Sequence, residues 1–362
     1  MTSERKMSHL EICRDREVGS KEKSTHLGDV ELVHNALPEL DFEDMDLSVR
    51  VFGKTLSVPV VISAMTGGHP ETKKVNANLA KAAKDLGIGM CVGSQRAALE
   101  NPRLEDSFRV VRKVSSDILV VANMGATQLL SPKVVDSAER AIEMIDADAL
   151  AVHLNPLQEL VQPGGDTRYK GVLSGLSRLA ASIKKPIIVK ETGCGMSREA
   201  AERLVGAGVS AIDVAGAGGT SWAAVEYYNA KLQGDSMKAE VAETLWDWGI
   251  PTAMSLCEVS SLGSKVKILA SGGIGSGLDM ARSIALGADL VGVARPLLIP
   301  AFTSPKAVES KLNRMIRELK VASLLTGSRT VKELKTAPVF LKGELLNWVT
   351  QRGLGVRSNA RG

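Results

Sequence analysis

The sequence is poor in the residues on which several classes of protein depend. Its four cysteines, Cys13, Cys91, Cys194 and Cys257, stand far apart with no C-x-x-C spacing and no histidine pair beside them. That argues against a zinc site or a disulfide framework and suits a reducing cytoplasm. Aromatic residues make up 3% of the chain, too few for base-stacking platforms, and the core falls to Ala, Val, Leu and Ile. No charge dominates: Lys+Arg 45 against Asp+Glu 41 gives +4, with the basic residues scattered, so no nucleic-acid partner is expected. No window approaches about 20 unbroken apolar residues, and the charged start MTSERKMSHLEICRDREVG lacks the apolar stretch of an export signal, so no membrane partner is expected either. There is no G-x-S-x-G or H-E-x-x-H, and Gly53-Lys54-Thr55 fails as a phosphate-binding loop because Ser48 stands where its first glycine is needed.

What is present is a repeat. Apolar, β-branched runs recur at Val58–Ile62, Ile88–Val92, Ile118–Ala122, Ala149–Leu154, Pro186–Lys190, Ala211–Val214, Val266–Ala270 and Leu290–Val293. They read as buried parallel strands. Helical periodicity fills most of the gaps, at Thr72–Leu86, Lys133–Ile145, Leu173–Ile183, Arg198–Val205, Ala253–Leu262, Leu278–Leu286 and Lys306–Leu325. Eight such units predict an α/β fold, a (β/α)8 TIM barrel over 58–362 behind an amino-terminal extension over 1–57. An open dinucleotide-binding sheet would need G-x-G-x-x-G after the first strand, and the chain there reads Ser63-Ala64-Met65-Thr66-Gly67-Gly68-His69. The extension, the loop Asn155–Gly171 and the segment Ser221–Gly249 do not fit the bare repeat. The two that follow strands are expected on the catalytic face, as lids, substrate walls or an oligomer contact.

The strongest chemical signal is Ala270-Ser271-Gly272-Gly273-Ile274-Gly275-Ser276-Gly277 after the seventh run, together with Gly292-Val293-Ala294-Arg295-Pro296 at the end of the eighth. Loops at those two places offer main-chain amides and a helix N-terminus to an anion, which predicts a phosphate grip. Strand ends then supply Met65, Thr66, Ser94, Asn123, Lys190 and Thr220, a set suited to a flat, hydrogen-bonding heterocycle. Lys190 closes an apolar run, where its ammonium would steady a nearby anion such as a reduced flavin; a Schiff-base role is the rival. His153-Leu154-Asn155-Pro156-Leu157-Gln158-Glu159 packs an imidazole, two amides and a carboxylate into one loop. Glu159 suits Mg²⁺ completed by substrate phosphates, or is simply a solvated charge. Arg5, Lys6 and His9 form a cationic set that by itself reads best as a disordered tip, and Ser94-Gln95-Arg96 offers a second basic set near the barrel mouth. Cys194 is a nucleophile candidate with no base beside it.

Taken in order, Arg5-Lys6-x-x-His9, Ser63-Ala64-Met65-Thr66-Gly67-Gly68, Gly93-Ser94-Gln95-Arg96, Ala122-Asn123-Met124-Gly125, His153-Leu154-Asn155-x-x-Gln158-Glu159, Val189-Lys190-Glu191, Gly218-Gly219-Thr220-Ser221-Trp222, Ser271-Gly272-Gly273-Ile274 and Ala294-Arg295-Pro296 resemble the FMN-dependent, type 2 isopentenyl-diphosphate isomerases. The resemblance implies FMN with its phosphate on Gly273, Ile274, Gly275, Ala294 and Arg295. Its ring would lie near Ala64, Met65, Thr66, Ser94, Asn123, Lys190 and Thr220. It implies substrate contacts from Arg5, Lys6, His9, Ser94, Gln95, Arg96, His153, Asn155 and Gln158, and Mg²⁺ on Glu159. Gln158, His153 and Lys190 would be the catalytic side chains, and Trp222 either a wall of the allyl pocket or packing. The implied reaction converts isopentenyl diphosphate to dimethylallyl diphosphate without net electron transfer. Reduced FMN would be the acid/base, NADPH the reductant, and the enzyme a homo-oligomer, tetramer or octamer. The rival within the same chemistry is a 2-hydroxy-acid oxidase, which predicts a His–Arg pair after strands six and seven; no histidine follows His153.

Overall fold

The computed structural model describes residues 2–263 and 265–355. Eight parallel strands close into a barrel: β1 (Val60–Ile62), β2 (Gly89–Cys91), β3 (Val120–Gly125), β4 (Ala149–His153), β5 (Ile187–Lys190), β6 (Ala211–Asp213), β7 (Lys267–Ala270) and β8 (Leu290–Val293). Closure is direct, with Val291 of β8 in register with Val60 of β1. This is the expected (β/α)8 barrel; most strands are a residue or two shorter than expected, while β3 runs on from Ala122 to Gly125.

The two-residue strand period sorts the side chains into two clusters. Val60, Ile62, Val120, Leu150, Val152, Ile187 and Val189 face the surrounding helices and belong to the main core. Val61, Val121, Ala149, Ala151, Ile188, Ala211, Leu269 and Leu290 face inward and fill the barrel's centre. An antiparallel ribbon of Val49–Val51 and Lys54–Leu56 adds Val51 and Leu56 to that inner cluster. The extension is therefore part of the barrel's core as well as of its mouth.

Several helices were not read from periodicity, among them Pro156–Val161 in what reads as a loop after β4. Arg96–Glu100 and Asp106–Val114 are helices between β2 and β3. The Ser221–Gly249 segment is a helical hairpin, Trp222–Leu232 and Ser236–Thr244. Thr2–Asp15, expected by itself to be a disordered tip, is a helix. It stays ordered because Ile12 and Val18 are buried against Ala224, Val225 and Trp246 of the hairpin. Main-chain bonds Ser20 N to Gly219 O (2.9 Å) and Ser221 N to Val18 O (2.8 Å) fix its downstream end.

Candidate active site

One step beyond the apolar inner layer, the inward positions become polar or small. Two residues past Val61, Val121, Ala151, Ile188, Ala211, Leu269 and Leu290 stand Ser63, Asn123, His153, Lys190, Asp213, Ser271 and Gly292. All of these except Asp213 line a cavity of about 700 Å³ at the carboxyl ends of the strands. A barrel of this type places its chemistry on that face, and the volume suits a bound cofactor or substrate.

The cavity wall collects most of the residues singled out above. Ala64, Met65, Ser94, Asn123, Lys190 and Thr220 share it with Gly273, Ile274, Gly275, Ala294 and Arg295, and with Arg5, Lys6, His9, Arg96, His153, Asn155, Gln158, Glu159 and Trp222. Two expected residues are not brought there. Gln95 is fully buried, its Oε1 accepting from Asn123 N (2.9 Å) and its Nε2 donating to Ala141 O (2.8 Å); both ends of the amide are spent behind the strands, and no substrate contact is open to it. Thr66 is buried behind the wall with its hydroxyl lacking a partner, and its carbonyl accepts from Gly93 N at 3.0 Å.

The phosphate grip differs in one respect from its sequence reading. The helix Gly277–Ala285 is already capped by its own residues, for Asp279 Oδ2 accepts from Gly275 N (3.1 Å) and Ser276 N (3.0 Å). The helix N-terminus and the Gly275 amide are thus occupied within the chain, and an anion is left the loop before them. Gly273 sits at φ 71°, where a Cβ would come 2.4 Å from Thr25 Cγ2, so only glycine allows that loop to approach its neighbour.

The wall is strongly cationic: Arg5, Lys6, Arg96, Lys190 and Arg295 face it against the single carboxylate of Glu159. The charges form two groups bridged by the amino-terminal helix. Lys6 near its start donates to Ser94 O (3.3 Å), and Cys13 near its end feels Arg295. At 1.5 Å per residue, positions 6 and 13 are about 10 Å apart. Burial, then Arg5 and Arg96, bring the Lys6 pKa down to about 8, the state of a cation awaiting an anion.

Beside this lies a polar network. Asn123 Nδ2 donates to Val92 O (3.0 Å), so its Oδ1 faces His153 Nδ1 at 2.9 Å as acceptor. Burial, then Lys190 and Lys6, push the imidazole down to about 3, leaving it uncharged with Nδ1–H toward Asn123. Asn155 Nδ2 donates to Gln158 Oε1 (3.1 Å) and Glu159 Oε1 (3.2 Å). Burial and Glu191 hold the Cys194 thiol protonated, which removes it as a nucleophile.

Sequence reasoning missed Glu226. An acid inside a helix reads as solvated, yet this one is fully buried, accepting from Gln158 Nε2 (3.1 Å) and Asn229 Nδ2 (2.9 Å), with His9 Nε2 3.0 Å away. Burial works to raise its pKa, but His9, Asn229 and Gln158 outweigh it and hold the carboxyl below its ordinary value. It joins the amino-terminal helix, the helical hairpin and the loop after β4.

Comparison with known proteins agrees with this geometry. The family model of FMN-dependent dehydrogenases matches residues 1–108 and 172–340. An isopentenyl-diphosphate delta-isomerase of Methanosarcina barkeri is 47% identical over 361 residues, covering 99% of this chain and 97% of the relative. The enzyme of that name from Archaeoglobus fulgidus is 47% identical over 352 residues, 97% and 99% of the two chains. The chain belongs to the FMN-dependent, type 2 isopentenyl-diphosphate delta-isomerase family. It is an isomerase, and FMN is its family's cofactor. A solved mandelate oxidase superposes with a TM-score of 0.66 at 19% identity, covering 92% of this chain and 94% of that one, a likeness of fold alone. The dehydrogenase model skips residues 109–171, the stretch that carries Asn123, His153, Asn155, Gln158 and Glu159.

Proposed function

We propose that this isomerase converts isopentenyl diphosphate to dimethylallyl diphosphate with reduced FMN as its acid/base, Mg²⁺ on Glu159 and NADPH as the reductant. The observation that supports this reading is a cavity whose described lining sets two separated groups of cations against one carboxylate, Glu159, in a chain whose relatives bear the isomerase name. The reaction adds one proton at the terminal carbon and removes one from the carbon next to the diphosphate-bearing CH₂, so electrons balance without an oxidant. Bound and reduced, FMN supplies a ring nitrogen for proton exchange and an electron-rich face beside developing carbocation character.

The chain's own residues do the rest. Loop amides at Gly273 and Ile274, with Ala294 and Arg295, take the FMN phosphate, while Lys190 steadies negative charge on the ring near Met65, Ser94, Asn123 and Thr220. Arg5, Lys6 and Arg96 receive the diphosphate. Among the described residues no three His, Cys, Asp or Glu side chains gather to hold a metal. Glu159, which faces the cavity, would take Mg²⁺ with substrate oxygens completing the shell. Gln158, held by Glu226 and Asn155, would orient the alkene. His153 lies beside it, neutral, its tautomer set by Asn123. Trp222 stands edge-on to His9, ring centroids 5.4 Å apart, and closes the apolar end. Assembly into a homo-oligomer in a reducing cytoplasm completes the reading. Leu232, Met237 and Trp248, each more than 60% exposed on or beside the hairpin, and four unpaired cysteines support it.

Anaerobic incubation with FMN, Mg²⁺, NADPH and isopentenyl diphosphate in D₂O tests the proposal, with product and nicotinamide followed by NMR. Deuterated dimethylallyl diphosphate without stoichiometric NADPH loss is expected. Consumption of NADPH in proportion to product would replace the isomerase chemistry by a dehydrogenase. In Glu159→Gln, FMN content stays at the wild-type level while the Mg²⁺ needed for half-maximal rate rises at least tenfold; an unchanged requirement removes Glu159 from the metal site.

A further inference from the structure

The polar ring above the barrel core contains one acid, Asp213, which neither the sequence reading nor the reaction outlined above uses. It is 4% exposed and in register with Lys190 across β5 and β6, so the two side chains stand on the same inward face of neighbouring strands. Its Oδ1 accepts from Ser271 Oγ (2.7 Å) on the far side and from Ala215 N (3.3 Å) above. Ala215 holds a φ of 36°, and its bend carries the chain into the loop that reaches Thr220. The Lys190 ammonium donates instead to the main-chain carbonyl of Glu191 and is not consumed by the acid. The Asp213 pKa stands above its ordinary value because burial raises it more than Lys190 and the bonds from Ser271 and Ala215 lower it.

We propose that Asp213 is a positioning residue that tunes the flavin electrostatically, its buried carboxylate offsetting part of the Lys190 charge beneath the ring. The inference rests on the reading that FMN lies over Lys190. Its physical content is a sign. A lone buried ammonium would bind the anionic reduced flavin much more tightly than the neutral oxidised form; a carboxylate one strand away weakens that preference. The flavin then remains a proton carrier of moderate basicity, as a redox-neutral reaction needs. Removing the negative charge should therefore strengthen the bias toward reduced flavin, whereas loss of a merely structural brace should weaken it.

The test uses the FMN-loaded full chain. The midpoint potential of bound flavin is read by anaerobic reductive titration against a reference dye, and the dissociation constant of oxidised FMN by fluorescence. In Asp213→Asn the ratio of oxidised to reduced dissociation constants rises about tenfold, the effect of one unit charge about 12 Å away at an effective dielectric near 20. For a two-electron couple that is about 30 mV upward. Asp213→Glu stays within threefold of wild type. Asp213→Ser, also neutral, takes the place of the asparagine variant if the latter does not fold, with the same sign expected. Lys190→Met moves the ratio the opposite way. An unchanged ratio in the neutral variants, alongside a clear fall in Lys190→Met, overturns the inference and leaves the FMN reading standing. A downward shift in both makes Asp213 a brace only. No shift in Lys190→Met overturns the parent reading and this inference with it.

Discussion

The basic cluster at the start of the amino-terminal helix makes a quantitative prediction about pH. With its pKa lowered to about 8 by burial and by Arg5 and Arg96, Lys6 is roughly nine-tenths charged at pH 7 and about one-tenth charged at pH 9. A bound diphosphate restores the pKa, because its charge opposes those of the two arginines. The free-state value is the lower one, so the complex takes up a proton. Affinity is complete well below pH 8 and is lost as pH rises through it. The last ionisation of a terminal phosphate falls near pH 6 and contributes little above pH 7. The dissociation constant of isopentenyl diphosphate should therefore rise about tenfold from pH 7 to pH 9, about 1.4 kcal/mol. Calorimetry on the oxidised, FMN-loaded protein in two buffers of different ionisation enthalpy should show uptake of about half a proton at pH 8. Lys6→Met should bind more weakly, by about 10- to 150-fold for one charged hydrogen bond, with a flat profile. Equal slopes in wild type and variant, or no proton uptake at pH 8, would refute the argument.

Three further outcomes follow from the packing. Glu226→Gln should keep its FMN yet lose about tenfold or more in kcat, since Gln158 loses its anionic anchor; because the native pKa lies below the ordinary value, its stability deficit in denaturant titration should be present at pH 7 and shrink as pH falls through that native value. Gly93→Ala would set a Cβ 2.5 Å from Thr66 O, main chain that cannot step aside, and FMN titration should show at least tenfold weaker binding. Phe108 is fully buried with its ring against Gly67, so Phe108→Ala should cost about 3–5 kcal/mol in equilibrium unfolding and loosen the loop that carries Met65.

Sequence and structure divide their contributions along a physical line. Strand and helix periodicity, the glycine loops after β7 and β8 and the polar strand ends are local signals, and they were legible as a barrel gripping a phosphate. The strand period even carries the polar ring, since Asn123, His153, Lys190 and Asp213 each lie two residues past an inward aliphatic. Of the helices after β2, Arg96–Glu100 is less than two turns long, too brief for a periodic pattern to emerge, whereas Asp106–Val114 carries Phe108, Val110 and Val111 on a buried face and is as long as helices that periodicity does reveal. The expected substrate contact of Gln95 rests on the Ser94-Gln95-Arg96 run after the second strand and on the family resemblance. Which way that amide turns depends on Asn123 and Ala141, far along the chain.

By itself the sequence determined the architecture, the family and the residues able to do chemistry, because each rests on spacing or on residue type. Tertiary structure decided the charge states and the partnerships. It made a helix of a polar tail by burying Ile12 against the hairpin, buried Glu226 where helix pattern reads solvent, capped the Gly277 helix with its own Asp279 and set Asp213 beside Lys190. Burial and through-space charge depend on neighbours brought together from distant strands, and no local pattern encodes them.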